Sequence, residues 1–347
     1  MKDLLVNRLT PFCAAILLLA GCVTQPTLTP VGEFPLPSAA PEGLSGIAWT
    51  GNDTYVLAED SGGRLHTATI GLDAATGAVT GCAFTAVQSV PGLVDAEGIA
   101  CDREGGLIYV SDEAGSKLLK ILPDGAPLPV PVPDFFSTTR PNKSLEALSC
   151  ERTKEGFTLW TANEDALIVD GPPSSATNAP LVRIARIPPF AKAKDADAWW
   201  YYRLDAAQGG PIPGAGPGVP FNGLAGLAAL GGGRLLVLER SCGLLPADEV
   251  GGTPSLIVAS LYFVDTSRAK TASPTPLRKT LLWRQGFPFS NYEGIALGPR
   301  LADGSRAVLL VADGDSSKAR IGGMMVAFQW KKALFVLRLL DSTHETF

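Results

Sequence analysis

Short runs of alternating apolar and polar residues extend along most of this chain, and they recur in pairs. A phrase of small and apolar residues comes first, a turn rich in glycine or charge follows, and a β-type run ending in an acidic residue completes the unit. Such alternation predicts strands with one buried face, and no sustained helical period interrupts it. The pattern therefore predicts an all-β protein.

The first half of this unit recurs with nearly the same letters. The copies are LSGIA, AEGIA, LEALS, LAGLA and YEGIA, which begin at Leu44, Ala96, Leu145, Leu224 and Tyr292. The first three copies lie about 50 residues apart, which is typical of a β-propeller built from four-stranded blades. The two later steps are longer and hold insertions or an unmarked blade. The length favours six blades and leaves five to seven open.

Each phrase is predicted to be the innermost strand of a different blade. The residues expected to be buried at equivalent places are Ile47, Ile99, Leu148, Leu227 and Ile295. Gly98 and Gly294 follow the position of the repeated carboxylate, and they would allow close backbone approach at the mouth of the central channel.

The N-terminal residues have the pattern of an export signal. Lys2 and Arg8 precede a short apolar run that ends in LLAGC and resembles the bacterial lipoprotein signal, in which the cysteine after the cut carries lipid. Residues 1–21 are predicted to be the signal peptide, Cys22 the lipidation site and 22–42 a tether. Residues 43–347 would form one propeller with insertions near 170–180 and 208–220. An ordinary signal peptide is the alternative.

Charge and cysteine content limit the possible partners and the possible disulfides. The formal net charge of −5 argues against nucleic acid as a partner. The lipoprotein signal predicts an exported protein that faces the periplasm or cell exterior and meets the membrane only through lipid on Cys22. In that oxidising compartment Cys82, Cys101, Cys150 and Cys242 could form two disulfides, in any of three pairings.

Carboxylates recur at the repeat positions. Glu97, Glu146 and Glu293 occupy the same place in three phrases, whereas Ser45 and Ala225 occupy it in the other two. Equivalent residues of successive blades fall on a ring around the channel axis. A second set of acids ends the following strands and returns to the same opening: Asp60, Asp112, Glu164, Glu239 and Asp313.

Crowded carboxylates repel and raise one another's pKa unless a cation lies among them. Calcium is the expected ion because it accepts several oxygen ligands in flexible geometry. Its predicted ligands are Glu97, Glu146, Glu293, Asp112 and Asp313. A set of solvated turns, in which these acids pair with nearby bases, is the alternative.

Basic residues follow the second-strand acids within a few positions. They are Arg64, Lys117, Arg240 and Lys318. Arg64, Lys117 and Lys318 are predicted to hold the anionic part of a substrate, because a metal with basic neighbours suits a phosphate or an anionic ester.

Several phrases resemble those of a known family. GLSGIAW, DAEGIA, SLEALS and NYEGIALGP, with YVLAEDSGGR after the first, are similar to the recurrent phrases of bacterial β-propellers described as having the esterase-like activity of phytase. The similarity runs from about Gly43 to Val326. It implies a phosphoric-ester hydrolase that acts on a small anionic ester or phosphate.

Two functions stay open at this point. In the first, Glu97, Glu146 and Glu293 are catalytic in calcium-dependent hydrolysis of a phosphate ester. In the second, the propeller is a non-catalytic binding or scaffold module of the cell envelope.

Overall fold

Five antiparallel sheets of four strands each build the described part of the chain. The computed structural model describes residues 25–153, 156–188, 198–211, 220–245, 255–314, 316–321 and 324–341. The predicted signal peptide and Cys22 lie outside these residues, as does most of the segment predicted as an insertion near 208–220. No helix among the described residues is long and apolar enough to cross a membrane.

The first four sheets each use consecutive strands of the chain. Blade 1 contains β2 (Leu44–Gly51), β3 (Thr54–Glu59), β4 (Arg64–Leu72) and β5 (Val79–Ser89). Blade 2 contains β6 (Ala96–Asp102), β7 (Leu107–Asp112), β8 (Lys117–Ile121) and β9 (Pro127–Val130). Blade 3 contains β10 (Leu145–Thr153), β11 (Gly156–Asn163), β12 (Leu181–Ile187) and β13 (Trp199–Arg203). Blade 4 contains β14 (Phe221–Gly231), β15 (Arg234–Leu245), β16 (Ser255–Asp265) and β17 (Lys279–Phe287).

Blade 5 joins the two ends of the propeller. From the channel outward it contains β18 (Tyr292–Arg300), β19 (Arg306–Ala312), β22 (Ala333–Leu340) and β1 (Thr27–Pro35). A separate hairpin of β20 (Ser316–Ile321) and β21 (Met324–Gln329) lies between β19 and β22 in the chain. Two 3₁₀ turns, Asp134–Thr138 and Ile168–Asp170, complete the regular elements described. Because β1 pairs with β22, the first described strand closes the ring.

The five innermost strands are β2, β6, β10, β14 and β18, and each contacts the next around the ring. Their backbones approach closely. A Cβ on Gly98 would lie 2.5 Å from the backbone nitrogen of Leu148, and one on Gly294 would lie 2.6 Å from the carbonyl oxygen of Ser45. The predicted close approach at these two glycines is therefore present.

The repeated apolar positions line the narrow middle of the channel. Ile47, Ile99, Leu148, Leu227 and Ile295 are all buried, one from each innermost strand. Further apolar clusters lie between successive blades, such as the one that joins Trp160 and Trp200 of blade 3 to Leu235 and Tyr262 of blade 4. The prediction of a propeller with one phrase per blade is confirmed.

The structure corrects two other predictions. The favoured count of six blades is wrong, because the long step between Glu146 and Ala225 holds a loop with a 3₁₀ turn and the outer strands of blade 3, and blade 4 is built from long strands. The tether predicted over 22–42 is wrong for Thr27–Pro35, which is the outermost strand of blade 5. Leu28 and Val31 pack against the core from that strand.

The four cysteines expected to be available for disulfides are free thiols in the structure. Cys150 Sγ donates a hydrogen bond to the backbone oxygen of Cys101 at 3.1 Å, across two neighbouring innermost strands. Burial raises the pKa of Cys101 to about 11 and that of Cys150 to about 12, so both are protonated thiols at neutral pH.

Candidate functional site

The start of each innermost strand and the end of the second strand meet at one mouth of the channel. The register places Leu44 opposite Glu59, Ala96 opposite Asp112, Leu145 opposite Asn163, Leu224 opposite Glu239, and Tyr292 opposite Ala312. The residue after each of these second-strand partners therefore forms the equivalent set at the mouth. That set is Asp60, Glu113, Glu164, Arg240 and Asp313.

Backbone hydrogen bonds hold this second set beside the innermost strands. The N–H groups of Asp60, Glu113, Glu164 and Asp313 donate to the carbonyls of Gly43, Asp95, Ser144 and Asn291, each of which immediately precedes its innermost strand. The ladder thus continues one step beyond the strands. Four carboxylates and one guanidinium consequently lie around the opening.

The structure brings the three repeated glutamates to the same mouth. Glu97, Glu146 and Glu293 are buried, and electrostatic repulsion couples Glu97 to Glu293 and Glu146 to Glu97. Ser45, which stands at the same repeat position in blade 1, donates from its hydroxyl to Glu293 Oε2 at 3.4 Å. Ala225 leaves blade 4 without a carboxylate at this position.

Arg240 crosses the mouth from blade 4 to reach carboxylates of two other blades. Its Nη2 lies 2.7 Å from Glu164 Oε1, and its Nη1 lies 2.6 Å from Glu293 Oε1. Glu146 Oε1 is 3.9 Å from the same guanidinium. Burial disfavours the cation, but these carboxylates raise the pKa of Arg240 above its ordinary value. Arg240 is therefore permanently charged within the acidic ring.

Lys143 supplies the other cation that contacts this cluster among the described residues. Its Nζ lies 2.5 Å from Glu164 Oε2, and about a third of its side chain, 29%, is exposed. Burial disfavours its charge, yet the Glu164 carboxylate raises the pKa of the ammonium. Two cations therefore face a larger number of carboxylates.

The imbalance is visible in the pKa values of the acids. Burial, followed by repulsion from Glu293 and Glu113, raises the pKa of Glu97 well above its usual range. Burial and the neighbouring Glu97 and Glu164 do the same for Glu146. Glu113, also buried, has a pKa raised to about 7. In the absence of a bound cation, these groups retain protons at a pH where an exposed glutamate is ionised.

Two groups of carboxylates are arranged as metal ligands require. Oxygens of Asp95, Glu97 and Glu113 lie within 4.8 Å of one another, and so do oxygens of Glu113, Glu146 and Glu164. Glu113 belongs to both groups. Calcium binds through such buried carboxylate oxygens, and the donors present are all hard oxygens. The residues therefore fit a divalent cation.

The structure places the other predicted ligands beside these groups. Asp112 is fully buried, accepts the Asp95 N–H at 3.1 Å and lies 3.6 Å from Lys117 Nζ. Asp313 accepts from Asn291 Nδ2 at 3.2 Å. Among the described residues, neither belongs to the two groups of mutually close carboxylates.

The predicted anion-holding residues are not brought to the centre of the mouth. Arg64 is half exposed and bonds to Glu59, which also lies 2.6 Å from His66 Nε2. Lys117 is half exposed beside Asp112. The side chain of Lys318 lies outside the described part of the chain. Arg240 and Lys143 are the cations that contact the acidic cluster.

Glu113, Asp95 and Lys143 were missed by sequence reasoning, although one signal could have found Glu113. The second strands end in the pairs ED, DE, NE, ER and AD, beginning at Glu59, Asp112, Asn163, Glu239 and Ala312. The second member of every pair belongs to the mouth. In blades 2 and 4 the prediction chose the first member, Asp112 and Glu239. Glu239 instead accepts bonds from Tyr202, Asn222 and Lys279 within the sheet layer.

Fold and site together define a five-bladed β-propeller with an acidic channel mouth. The chain belongs to the phytase-like family described by the esterase-like activity of phytase, whose model matches residues 40–316. This confirms the family resemblance. No curated protein matches the chain.

Several solved structures are similar in fold at low sequence identity. A virginiamycin B lyase from Staphylococcus aureus is 11% identical, with 91% of this chain and 100% of that chain covered and a TM-score of 0.35. A gluconolactonase from Xanthomonas campestris is 13% identical, with coverages of 92% and 91% and a TM-score of 0.34. The PQQ-bound aldose sugar dehydrogenase from Streptomyces coelicolor is 13% identical, with coverages of 91% and 99% and a TM-score of 0.37. Similarity at this level carries no conclusion about chemistry.

Proposed function

We propose that this protein is a calcium-dependent hydrolase of phosphoric esters that acts at the acidic mouth of the channel. The observation that carries the proposal is the pair of buried carboxylate groups that share Glu113, in a mouth where acids outnumber cations. Membership of the phytase-like family supports the same chemistry. The substrate would be a small anionic ester.

The residues that would hold calcium are Glu97, Glu113 and Glu146, supported by Asp95 and Glu164. Glu293, Asp112 and Asp313, the other predicted ligands, are buried at or beside this mouth. When bound, the ion supplies positive charge that polarises a phosphoryl group and lowers the pKa of bound water.

The protein's own residues divide the proton chemistry. Glu97 belongs to a ligand group, so calcium binding would displace the proton that its raised pKa retains in the calcium-free protein. Glu293 lies outside the two ligand groups, and burial raises its pKa although Arg240, 2.6 Å away, acts in the opposite direction, so Glu293 is the carboxyl group that could exchange a proton with the leaving alcohol. The ligand carboxylates and Glu293 would thus have different roles in one mouth.

Lys143 would bind the substrate, and Arg240 would orient carboxyl groups of the mouth. Lys143 has an exposed fraction of 29% and can reach a phosphate oxygen at the opening. Arg240 holds Glu164 and Glu293 in place and acts as a positioning residue. The predicted roles of Arg64, Lys117 and Lys318 would be confined to the approach of an anion from the surrounding solvent.

The test is calcium calorimetry on protein treated with a chelator, followed by assays with 4-nitrophenyl phosphate and bis(4-nitrophenyl) phosphate. Glu113→Gln keeps the shape of the side chain and removes a ligand from both groups, so calcium affinity should fall by at least about tenfold. Glu104→Gln is the matched control, because Glu104 lies at the opposite end of the channel from the acidic mouth and its side chain is 73% exposed. Parent protein without calcium affinity or ester hydrolysis would overturn the proposal.

A non-catalytic binding or scaffold module is the second candidate function. The observation in its favour is that Arg240 already pairs with Glu164 and Glu293, so part of the acidic ring is neutralised within the protein. Calcium binding without turnover of either ester would favour this function.

Export is proposed on the N-terminal pattern. Cys22 would carry lipid after removal of residues 1–21, so the propeller would be a membrane-anchored lipoprotein that faces the periplasm or cell exterior. Mass spectrometry of the membrane fraction tests this, and an intact Met1 or an unmodified Cys22 would contradict it.

A further inference from the structure

The opposite mouth of the channel contains a separate cavity of about 260 Å³. Its wall is formed where the innermost strands end, and it includes Trp49, Arg103, Arg152 and Arg306. Ile47, Ile99, Leu148 and Ile295 line this cavity, and together with Leu227 they also line the narrow middle of the channel, next to Glu146 of the acidic mouth. This buried ring therefore lies between the cavity and the acidic mouth. The cavity is therefore separate from the site described above.

The charges of this cavity are arranged differently from those of the acidic mouth. Arg152 is neutralised by Asp102 and Glu104, at 2.6 and 2.9 Å. Among the described side chains, no carboxylate lies within ion-pair distance of Arg103 or Arg306. Two guanidinium groups thus face the cavity without an anionic partner.

Trp49 brings these two arginines to the same place. The guanidinium carbon of Arg103 lies over the indole ring, 4.4 Å from its centroid, and that of Arg306 is 5.9 Å from it. The indole N–H donates to Asn52 O at 2.7 Å, which fixes the ring. Arg306 Nε donates to Gly298 O at 2.9 Å, which fixes that side chain and leaves its terminal nitrogens for a ligand.

Electrostatics within the protein leave this pair unsatisfied. Burial, together with repulsion from Arg103 and Arg300, lowers the pKa of Arg306 to about 10. The group stays charged at neutral pH, so the folded protein holds like charges close together. An anion placed between them would remove that repulsion and would accept their free N–H groups.

We propose that this cavity is a binding site for a small organic anion whose carboxylate or phosphate group is held by Arg103 and Arg306. The apolar body of the ligand packs against Ile99, Leu148 and Ile295, which line the inner wall. The volume exceeds the roughly 150 Å³ of an apolar cavity that holds benzene, so an anion with one small ring fits. The charged group would fix the orientation of the ligand, and the apolar wall would bury its apolar body.

Calorimetry with benzoate and with phenyl phosphate tests the proposal on the calcium-free parent protein. At least one of the two is expected to bind with one-to-one stoichiometry, whereas benzyl alcohol, which has the ring without the charge, should bind at least about tenfold more weakly. Saturable binding of benzyl alcohol with equal affinity, or no binding of either anion, would overturn the proposal.

Variants locate the bound anion. Arg103→Gln and Arg306→Gln should each weaken binding by at least about tenfold. Arg203→Gln removes the same charge from an outer strand of blade 3, where the guanidinium bonds to the Ala179 carbonyl, and should have no effect. Arg103 lies in an exposed turn, so its replacement should not impair folding. The Arg103 variant therefore tests the site even if the half-buried Arg306 is needed for folding.

A second comparison separates this site from the acidic mouth. Glu113→Gln, which should impair calcium binding, is expected to leave anion binding unchanged. Binding that is lost in Glu113→Gln but retained in Arg103→Gln would place the anion at the acidic mouth and would overturn the inference, whatever the outcome for ester hydrolysis.

Discussion

Arg240 is the residue on which the balance of charge at the acidic mouth depends. It stands where blades 1, 2, 3 and 5 carry Asp60, Glu113, Glu164 and Asp313, and the same blade has Ala225 in place of the repeated glutamate. Blade 4 therefore exchanges two carboxylates for one cation. That cation contacts the buried carboxyl groups of Glu164 and Glu293.

Arg240→Met should be strongly destabilising in calcium-free protein. The variant keeps an unbranched side chain but leaves the carboxylates of Glu164 and Glu293 buried without their closest shared cation, which costs about 3–5 kcal/mol in comparable cases. Urea denaturation measures the change. Arg203→Met, at an exposed position, should stay within about 0.5 kcal/mol of the parent. Equal effects of the two replacements would show that the cation at the mouth is not needed for stability.

Glu113 gives the protein a pH dependence of known sign. Its pKa is raised from 4.5 to about 7 in the folded state, chiefly by burial. Between these two values the folded chain retains a proton that the unfolded chain has released, so this group's stabilising contribution is full below 4.5 and is lost as the pH rises through about 7. The pKa values of Glu97 and Glu146 are also raised, so these groups likewise make the folded protein less stable as the pH rises.

The measurement is the difference in free energy of unfolding between the parent and Glu113→Gln, in the presence of a chelator. Glutamine does not titrate, so the parent should lose stability relative to the variant as the pH rises through this range. Saturating calcium should reduce the loss, because binding to the folded state adds stability by mass action. A parent that gains stability relative to the variant over the same range would contradict the raised pKa.

At the scale of the strand, close contact between innermost strands fixes the narrowness of the channel. Gly98 is in β6, and the nearest atoms to a Cβ placed there are backbone atoms and the Cβ of β10 residues, from 2.5 to 2.7 Å away. Backbone cannot move aside as a flexible side chain can. A side chain at this position would force blades 2 and 3 apart.

Gly98→Ala is accordingly expected to destabilise the propeller by about 1–3 kcal/mol, the usual cost of overpacking. Gly81→Ala in the outer strand β5 is the matched control, because nothing lies within 4 Å of the added methyl group. Urea denaturation of the two variants checks the expectation. Similar midpoints would mean that the blades separate without cost.

The strand scale also explains which part of the site the sequence could predict. Glu97, Glu146 and Glu293 were found because each is the second residue of a phrase that recurs with nearly the same letters, so their equivalence needs no knowledge of pairing. The second set depends on register, and a shift of one residue changes which side chain faces the mouth. That shift led to Asp112 instead of Glu113. The place of Arg240 within the acidic ring depends on contacts among three blades, which no local pattern contains.

At the scale of the whole molecule, the blade count depends on how the ring closes. The repeated phrases predict the propeller. A gap of about 80 residues between two phrases, however, is equally compatible with an extra blade and with loops and long strands. The segment Thr27–Pro35 was equally ambiguous, since proline and threonine suit a tether or an edge strand. Its partner, β22, lies about 300 residues away in the chain, and only the closed ring brings the two together.

The strand β1 also helps to position the residues of the acidic mouth through hydrogen bonds. Glu33 of β1 accepts hydrogen bonds from Ser290 Oγ at 3.0 Å and Tyr292 Oη at 2.9 Å, the residues that flank Asn291 and precede Glu293. Asn291 in turn donates to Glu293 Oε1 at 2.9 Å. The strand that closes the ring is thus linked, through two contacts, to a carboxylate of the mouth.

A chain that starts after β1, at Leu36, should therefore lose both stability and calcium affinity. The loss of the packing of Leu28 and Val31, which are partly buried, and of the β22 pairing should cost roughly 5 kcal/mol, from about 1 kcal/mol for each of these side chains together with about 0.5–1.5 kcal/mol for each lost backbone hydrogen bond. A peptide spanning 25–36, added in excess, should restore both properties by pairing with β22. The same peptide with Leu28→Asp and Val31→Asp should restore neither. A truncated chain that unfolds at the parent's urea midpoint and binds calcium equally well would show that the ring is held closed, and the mouth ordered, without β1.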